Sequence, residues 1–281
     1  MIQNQSLENS QLPSPLSRGQ QALWFIYQKD LESVAYNIFI TTRLAGELNL
    51  EAWQMAWQKL IARHSILRTT YRNQNGKPVA VVSQDCKVKI DVTDASRWES
   101  DELKAKIMAA VERPFNLETG PIMRLELFAR SPQEFVQLIT MHHIAGDGWS
   151  FDLLLKELRV LYAASVENLP EAKIANLLAD SPWQYADYVS WQSEMLLSAR
   201  GEQLFRYWQK QLADCLPILN LPTDKARPRD LSGRNEFHIV EIDQRLREKL
   251  LQLAADLGVS LYRTMLAAFF VLLHRLSGQL G

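Results

Sequence analysis

The stretch at residues 134–164, EFVQLITMHHIAGDGWSFDLLLKELRVLYAA, changes character twice within thirty-one residues. Its first part is a β-rich apolar run that ends on two adjacent histidines, His142 and His143. The segment IAGDG then breaks the pattern, because its glycines permit a tight turn and a close approach of another molecule. Phe151 onward returns to helical periodicity. A strand that ends in titratable side chains, turns on glycine and re-enters as a helix is a common seat of chemistry.

The chemistry follows from the residue types. Imidazole titrates near neutral pH, so a positioned histidine can take a proton from an attacking amine or hydroxyl. Asp147, four residues after His143, has two readings: it orients a ring, or it pairs with an arginine and holds the turn shut. Gly148 leaves its N–H free to face a developing oxyanion. His142, His143 and Asp147 are also the only clustered candidates for metal ligation. Adjacent strand residues point to opposite faces, so both rings cannot easily bind one ion, and no metal is expected. A purely structural pair, one histidine buried and one exposed, is the bland alternative. By average usage, His-His-x-x-x-Asp-Gly arises by chance in roughly one chain of this length in a couple of thousand.

Outward from this stretch, hairpins alternate with helices. Ser17 caps a helix over RGQQALWFIYQ. Residues 36–44 read as a strand with both faces partly covered, and Asn49 caps a second helix carrying Trp53, Trp57 and Leu60 at helical spacing. LRTTYR and VAVVS flank the turn NQNGKP and predict a hairpin. A helix is expected from about Ala95 to Val111, stopping before Pro114. The strands IMRLELFA and EFVQLITMHH follow. Residues 169–183 read as a linker, 183–213 as one or two aromatic-rich helices, 217–235 as loop and FHIVEI as a strand. This order predicts an α/β (α+β layered) sandwich with a mixed sheet and flanking helices.

Bulk composition agrees with a globular protein. The chain has 281 residues, 47% apolar and 22% charged, and a formal net charge of −1. No basic field exists to draw nucleic acid or anionic lipid. Cys86 and Cys215 lack CxxC spacing and are expected as reduced thiols. The first residues are polar and read without the basic start and apolar stretch of a signal peptide. The longest apolar run, Met265–Leu273, is too short to span a bilayer and predicts a buried helix. A soluble, cytoplasmic chain is expected, with a disordered leader over residues 1–13.

Four segments together resemble the condensation domains of nonribosomal peptide synthetases, within the chloramphenicol-acetyltransferase-like fold. His142–Ser150 is similar to that family's core motif. Ser17–Trp24 resembles its first motif, with Ala22 where arginine is usual. Arg63–Tyr71 resembles the second, and Tyr185–Trp191 the fourth. The resemblance runs from about residue 14 to the end. It implies an N-terminal lobe over 14–175, and over 176–281 linker helices and the beginning of an incomplete C-terminal lobe. The family's domains are roughly half as long again, so the chain is expected to be an excised fragment or a truncated product.

The resemblance also implies roles. His143 is the residue in the reaction channel, with His142 and Gly148 completing the catalytic turn, and Gly148 letting a substrate arm pass. Asp147 supports the site by pairing with Arg63 or Arg68. Trp149, Ser150, Gln20 and Trp191 line the channel. The implied reaction joins a donor acyl or peptidyl thioester to an acceptor aminoacyl thioester as an amide. Both would travel on the phosphopantetheine arms of carrier proteins beside an adenylation domain, with no cofactor bound directly. Two other readings are a free-standing coenzyme A- or carrier-dependent acyltransferase of the same fold, and a non-catalytic docking fragment.

Overall fold

The computed structural model describes residues 13–84, 89–178, 183–213, 218–226 and 240–279, in two compact units that meet in sequence at Arg200 and Gly201. Both cysteines lie outside the described residues.

In the first unit the expected caps start the expected helices. The Ser17 side chain accepts from the Gln20 N–H, and Gln20 answers on the Ser17 backbone, so a reciprocal capping box opens α1 (Arg18–Lys29). Strand β2 (Asn37–Ala45) leads to α2 (Leu50–Arg63), capped by Asn49. A 3-10 turn, Ser65–Arg68, delivers the chain to β3 (Thr69–Gln74) and β4 (Lys77–Val82). Their turn places Asn75 and Gly76 at φ 54° and 80°, the left-handed pair that a two-residue hairpin matching strand twist demands. Directly after the expected leader, Ser14–Pro15 forms β1, pairs antiparallel with β4, and leaves Leu16 in the core.

Next come β5 (Ile90–Asp94), α3 (Ser100–Val111), β6 (Met123–Ser131), β7 (Glu134–His142) and α4 (Gly148–Val166). β5 was not legible, because its acids Asp91 and Asp94 mask its period; it sits at a sheet edge, where charge is tolerated. The third helix begins five residues later than expected. Ala95 to Glu99 remain outside it, with Arg130 donating to the carbonyls of Ala95 and Trp98. The expected linker holds a helix of its own, α5 (Glu171–Leu177), anchored by buried Ile174. α6 (Tyr185–Leu197) closes the unit.

The main sheet runs β2-β7-β6-β5. It is antiparallel except for the parallel β5–β6 pair, and so is mixed as expected. β7 is its spine. Gln137 to Met141 have no exposed surface, because both faces are covered. Gln137 survives there because Trp53 Nε1 donates to its side-chain oxygen at 2.8 Å. β2 covers one face only: Ile38, Ile40 and Leu44 pack on the core, while Phe39 faces outward.

The second unit contains α8 (Gln244–Asp256), the turn at Gly258 and α9 (Leu261–Ser277); α7 (Ala199–Gln211) spans the boundary between units. Met265–Leu273 is helical as expected but not buried: α8 packs along α9, yet Phe269 is 52% exposed. The predicted strand FHIVEI falls partly outside the described residues, and Val240 to Ile242 have no regular structure. No single helix among the described residues is long and apolar enough to cross a membrane.

The β7–α4 turn separates its two glycines. A Cβ on Gly146 would lie 2.8 Å from Met141 Cε and 2.9 Å from Ser150 Cβ, whereas a Cβ on Gly148 would meet nothing within 4 Å. Gly146→Ala should therefore cost about 1–3 kcal/mol of folding stability, and Gly148→Ala less than about 0.5 kcal/mol. Urea unfolding of the two variants checks this; equal costs would contradict the packing described.

Candidate active site

Strand alternation gives the two histidines opposite surroundings. His142 is 4% exposed, set between the rings of Tyr36 and Phe115 at 6.4 and 6.3 Å. Its Nδ1 accepts the Ile144 N–H at 3.1 Å, so the ring is a structural acceptor that folds the turn back on itself. Burial, and secondarily the neighbouring His143, push its pKa down to about 4. His143 is exposed, and its backbone N–H is tied to the Tyr36 carbonyl at 2.8 Å. The strand ladder thus holds the His143 backbone while its ring enters a cavity of about 420 Å³.

Three further segments meet around that cavity. Gln20, 3% exposed, donates from Nε2 to the Tyr71 hydroxyl at 3.1 Å and to the Ile144 carbonyl at 3.3 Å, while its Oε1 accepts the Ser17 N–H. One amide thereby joins α1, β3 and the turn after His143. The Tyr185 hydroxyl lies 3.0 Å from Ser17 Oγ. Gln184 Oε1 accepts from both the Ser65 N–H and its hydroxyl, and Gln184 Nε2 donates to the Arg63 carbonyl. The start of α6 is therefore fastened to the start of α1 and the end of α2. All four segments singled out in the sequence contribute to one wall.

The expected clamp on Asp147 is not formed. Asp147 is the N-cap of α4: its Oδ1 accepts the Ser150 N–H and hydroxyl, each at 2.9 Å, and its own N–H donates to Ser150 Oγ. These bonds, the one from the Ser150 N–H foremost, hold its carboxyl below the usual range. It makes no ion pair with Arg63 or Arg68. Arg63 Nε instead meets Glu157 at 3.2 Å, and Arg68 donates to the Ser83 carbonyl beside a separate cavity of about 410 Å³. A helix N-terminus offers an acid unpaired N–H groups in its own turn, and that local bond is the one formed.

His143, Asp147, Ser150 and Gln20 line the His143 cavity; His142, Gly148, Trp149, Arg63, Arg68 and Trp191 do not. Gln20 belongs to the wall, but its amide is fully engaged by protein, so it is frame more than channel. Trp149 is 83% exposed, and Trp191 is 56% exposed and tilted against the Tyr188 ring. Glu157 escaped the sequence reading, although an acid beside Leu154, Leu158 and Leu161 on a buried helical stripe was the signal. Among the described residues no cluster of three or more metal-ligating side chains exists.

Protonating His142 costs the folded state, so its contribution is full above pH 6.5 and is lost as pH falls toward 4. The loss should reach about 3 kcal/mol at pH 4. His142→Asn keeps an acceptor for Ile144 and should flatten this part of the stability–pH curve; parallel wild-type and variant curves between pH 6.5 and 4.5 would refute the assignment.

Comparison with known proteins bears on the family and the fold. The profile of the family described as Condensation domain matches residues 11–280. The chain is 37% identical over 270 residues to malpibaldin synthetase of Mortierella alpina, covering 95% of this chain and 5% of that protein. It thus spans a small fraction of that curated relative. Its fold is similar to the first condensation domain of the calcium-dependent antibiotic synthetase in complex with a substrate analogue, with TM-score 0.79 and 19% identity over 96% of this chain and 63% of that one. It is also similar to the X-domain in the complex with OxyB from teicoplanin biosynthesis, with TM-score 0.75 and 25% identity over 94% of this chain and 57% of that one. The family match spans nearly the whole sequence: the chain belongs to the condensation domains.

Proposed function

We propose that this chain forms amide bonds between two carrier-borne thioesters, with His143 beside the reacting atoms. The observation that carries the reading is the exposed His143 ring in a cavity walled by all four family segments.

The reaction has a simple balance. The acceptor amine attacks the donor thioester carbon, an N–C bond forms and the carbonyl π pair moves to oxygen. Collapse breaks the C–S bond, and one proton passes from nitrogen to the departing thiolate. His143 is placed to hold that proton or to orient the amine that loses it. Two tethered substrates meeting in one cavity would supply much of the rate through proximity. The partners on this reading are donor and acceptor carrier proteins bearing phosphopantetheine arms, with an adenylation domain loading the acceptor. The arms are substrate-borne, so the chain itself needs no resident cofactor.

A docking role without chemistry is the second reading. It draws on the likeness to the X-domain, a domain captured in complex with OxyB. His143→Ala, tested in the native full-length protein with loaded carriers, separates the two. Amide formation should fall by about a hundredfold or more, with carrier binding and thermal stability unchanged. Undiminished turnover would remove His143 from the reaction. Carrier capture with no product from the wild-type protein would favour docking.

A further inference from the structure

A second imidazole lines the cavity of His143. His64 ends α2, its side chain is 14% exposed, and its Nε2 lies 2.7 Å from Glu157 Oε2. Glu157 is 8% exposed on the buried side of α4, and Arg63 holds the same carboxylate at 3.2 Å. Burial by itself would raise the Glu157 pKa, but the hydrogen bond from His64 and the charges of His64 and Arg63 outweigh it and keep the acid ionised. A carboxylate can only accept, so Nε2 carries the hydrogen, and in the neutral form of the ring the lone pair is on Nδ1. Glu157 is not part of the cavity wall, whereas His64 is. With Nε2 engaged by Glu157, Nδ1 is the ring nitrogen left to meet a substrate. Nδ1 has no hydrogen-bond partner among the described residues.

An acid–imidazole dyad aimed into a reaction cavity is more than the stability of the α2–α4 contact requires. A carboxylate behind the ring fixes its tautomer and strengthens the opposite nitrogen as an acceptor. The cavity then holds two imidazoles, from two different elements, facing one space. A primary amine is the substrate group that matches two acceptors, because it carries two N–H bonds.

We propose that His64 is a second substrate-contacting residue, whose Nδ1 accepts one N–H of the acceptor amine while the other N–H faces His143, with Glu157 as the positioning residue behind it. This rests on the amide-forming reading above and deepens it: the site selects primary over secondary amines. A secondary amine has a single N–H and must leave one acceptor unpaired.

The test compares glycyl and N-methylglycyl pantetheine thioesters as acceptors, using the native full-length protein with a loaded donor. His64→Gln places an amide where Nε2 stood, retaining a donor to Glu157 while removing the Nδ1 acceptor. The wild-type protein should prefer the glycyl acceptor. His64→Gln should lose about tenfold in kcat/KM for the glycyl acceptor, mostly in KM, and less than about twofold for the N-methylglycyl one. Equal losses for both acceptors, or no loss for either, would overturn the proposal.

His143→Ala run in parallel keeps the two claims apart. If His143→Ala abolishes turnover while His64→Gln leaves selectivity intact, the role of His64 alone falls; if His143→Ala has no effect, the underlying reaction falls. Should His64→Gln fold poorly, long-range proton–nitrogen NMR of the wild-type imidazoles decides. The unreactive thioether analogue of glycyl pantetheine should shift the His64 Nδ1 resonance and leave the hydrogen on Nε2, and an unmoved Nδ1 resonance would be contrary evidence.

Discussion

The side-chain amide of Gln20 ties the molecule together where it matters. It is buried, and each of its polar atoms meets a different piece of chain: the Ser17 backbone before α1, the Tyr71 hydroxyl on β3, and the Ile144 carbonyl after the two histidines. An apolar residue there would leave the buried Ser17 N–H without this acceptor, at about 1–3 kcal/mol, and leave the Tyr71 hydroxyl and Ile144 carbonyl only their mutual 3.5 Å contact. Ser17 in turn reaches Tyr185, so the same small network extends to α6. The cavity has its shape because these bonds hold four distant segments to one another.

Inside that frame, the site depends on the two-residue period of β7. The residue before the turn packs inward, and burial keeps it neutral; the residue after it points out. Moving the register by one residue would exchange the roles of His142 and His143 and leave the cavity without its imidazole. The strand is immobilised on both sides by β2 and β6, and α4 is capped by Asp147 within one turn of the histidines. His143 is thus held on rigid backbone between a fully paired strand and a capped helix.

The fold was legible where local chemistry decides it. Ser17 and Asn49 as caps, Asn75–Gly76 as a hairpin turn, and the strand–turn–helix around the histidines follow from side-chain hydrogen bonding and backbone sterics within a few residues. Misreadings came where tertiary contacts decide. β5 looks polar because it is an edge strand. Ser14–Pro15 carries no strand signal of its own until β4 is there to pair it. The apolar run of α9 looks like core, yet Phe269, Phe270, Val271 and Leu272 are exposed.

The site was half legible for the same reason. His143, Asp147, Ser150 and Gln20 stand together in the cavity wall, but what each side chain bonds to was not readable. Asp147 satisfies its own helix and not an arginine, and Arg63 finds an acid ninety-four positions away in sequence. The central claim is that His143 faces the nitrogen that becomes the amide. A structure of the full-length protein with an unreactive acceptor thioether tests it most directly. The amine should lie within about 3.2 Å of the His143 ring, inside the cavity shared with Gly146 and Tyr185; an amine bound elsewhere, with the ring in contact only with solvent, would contradict the account.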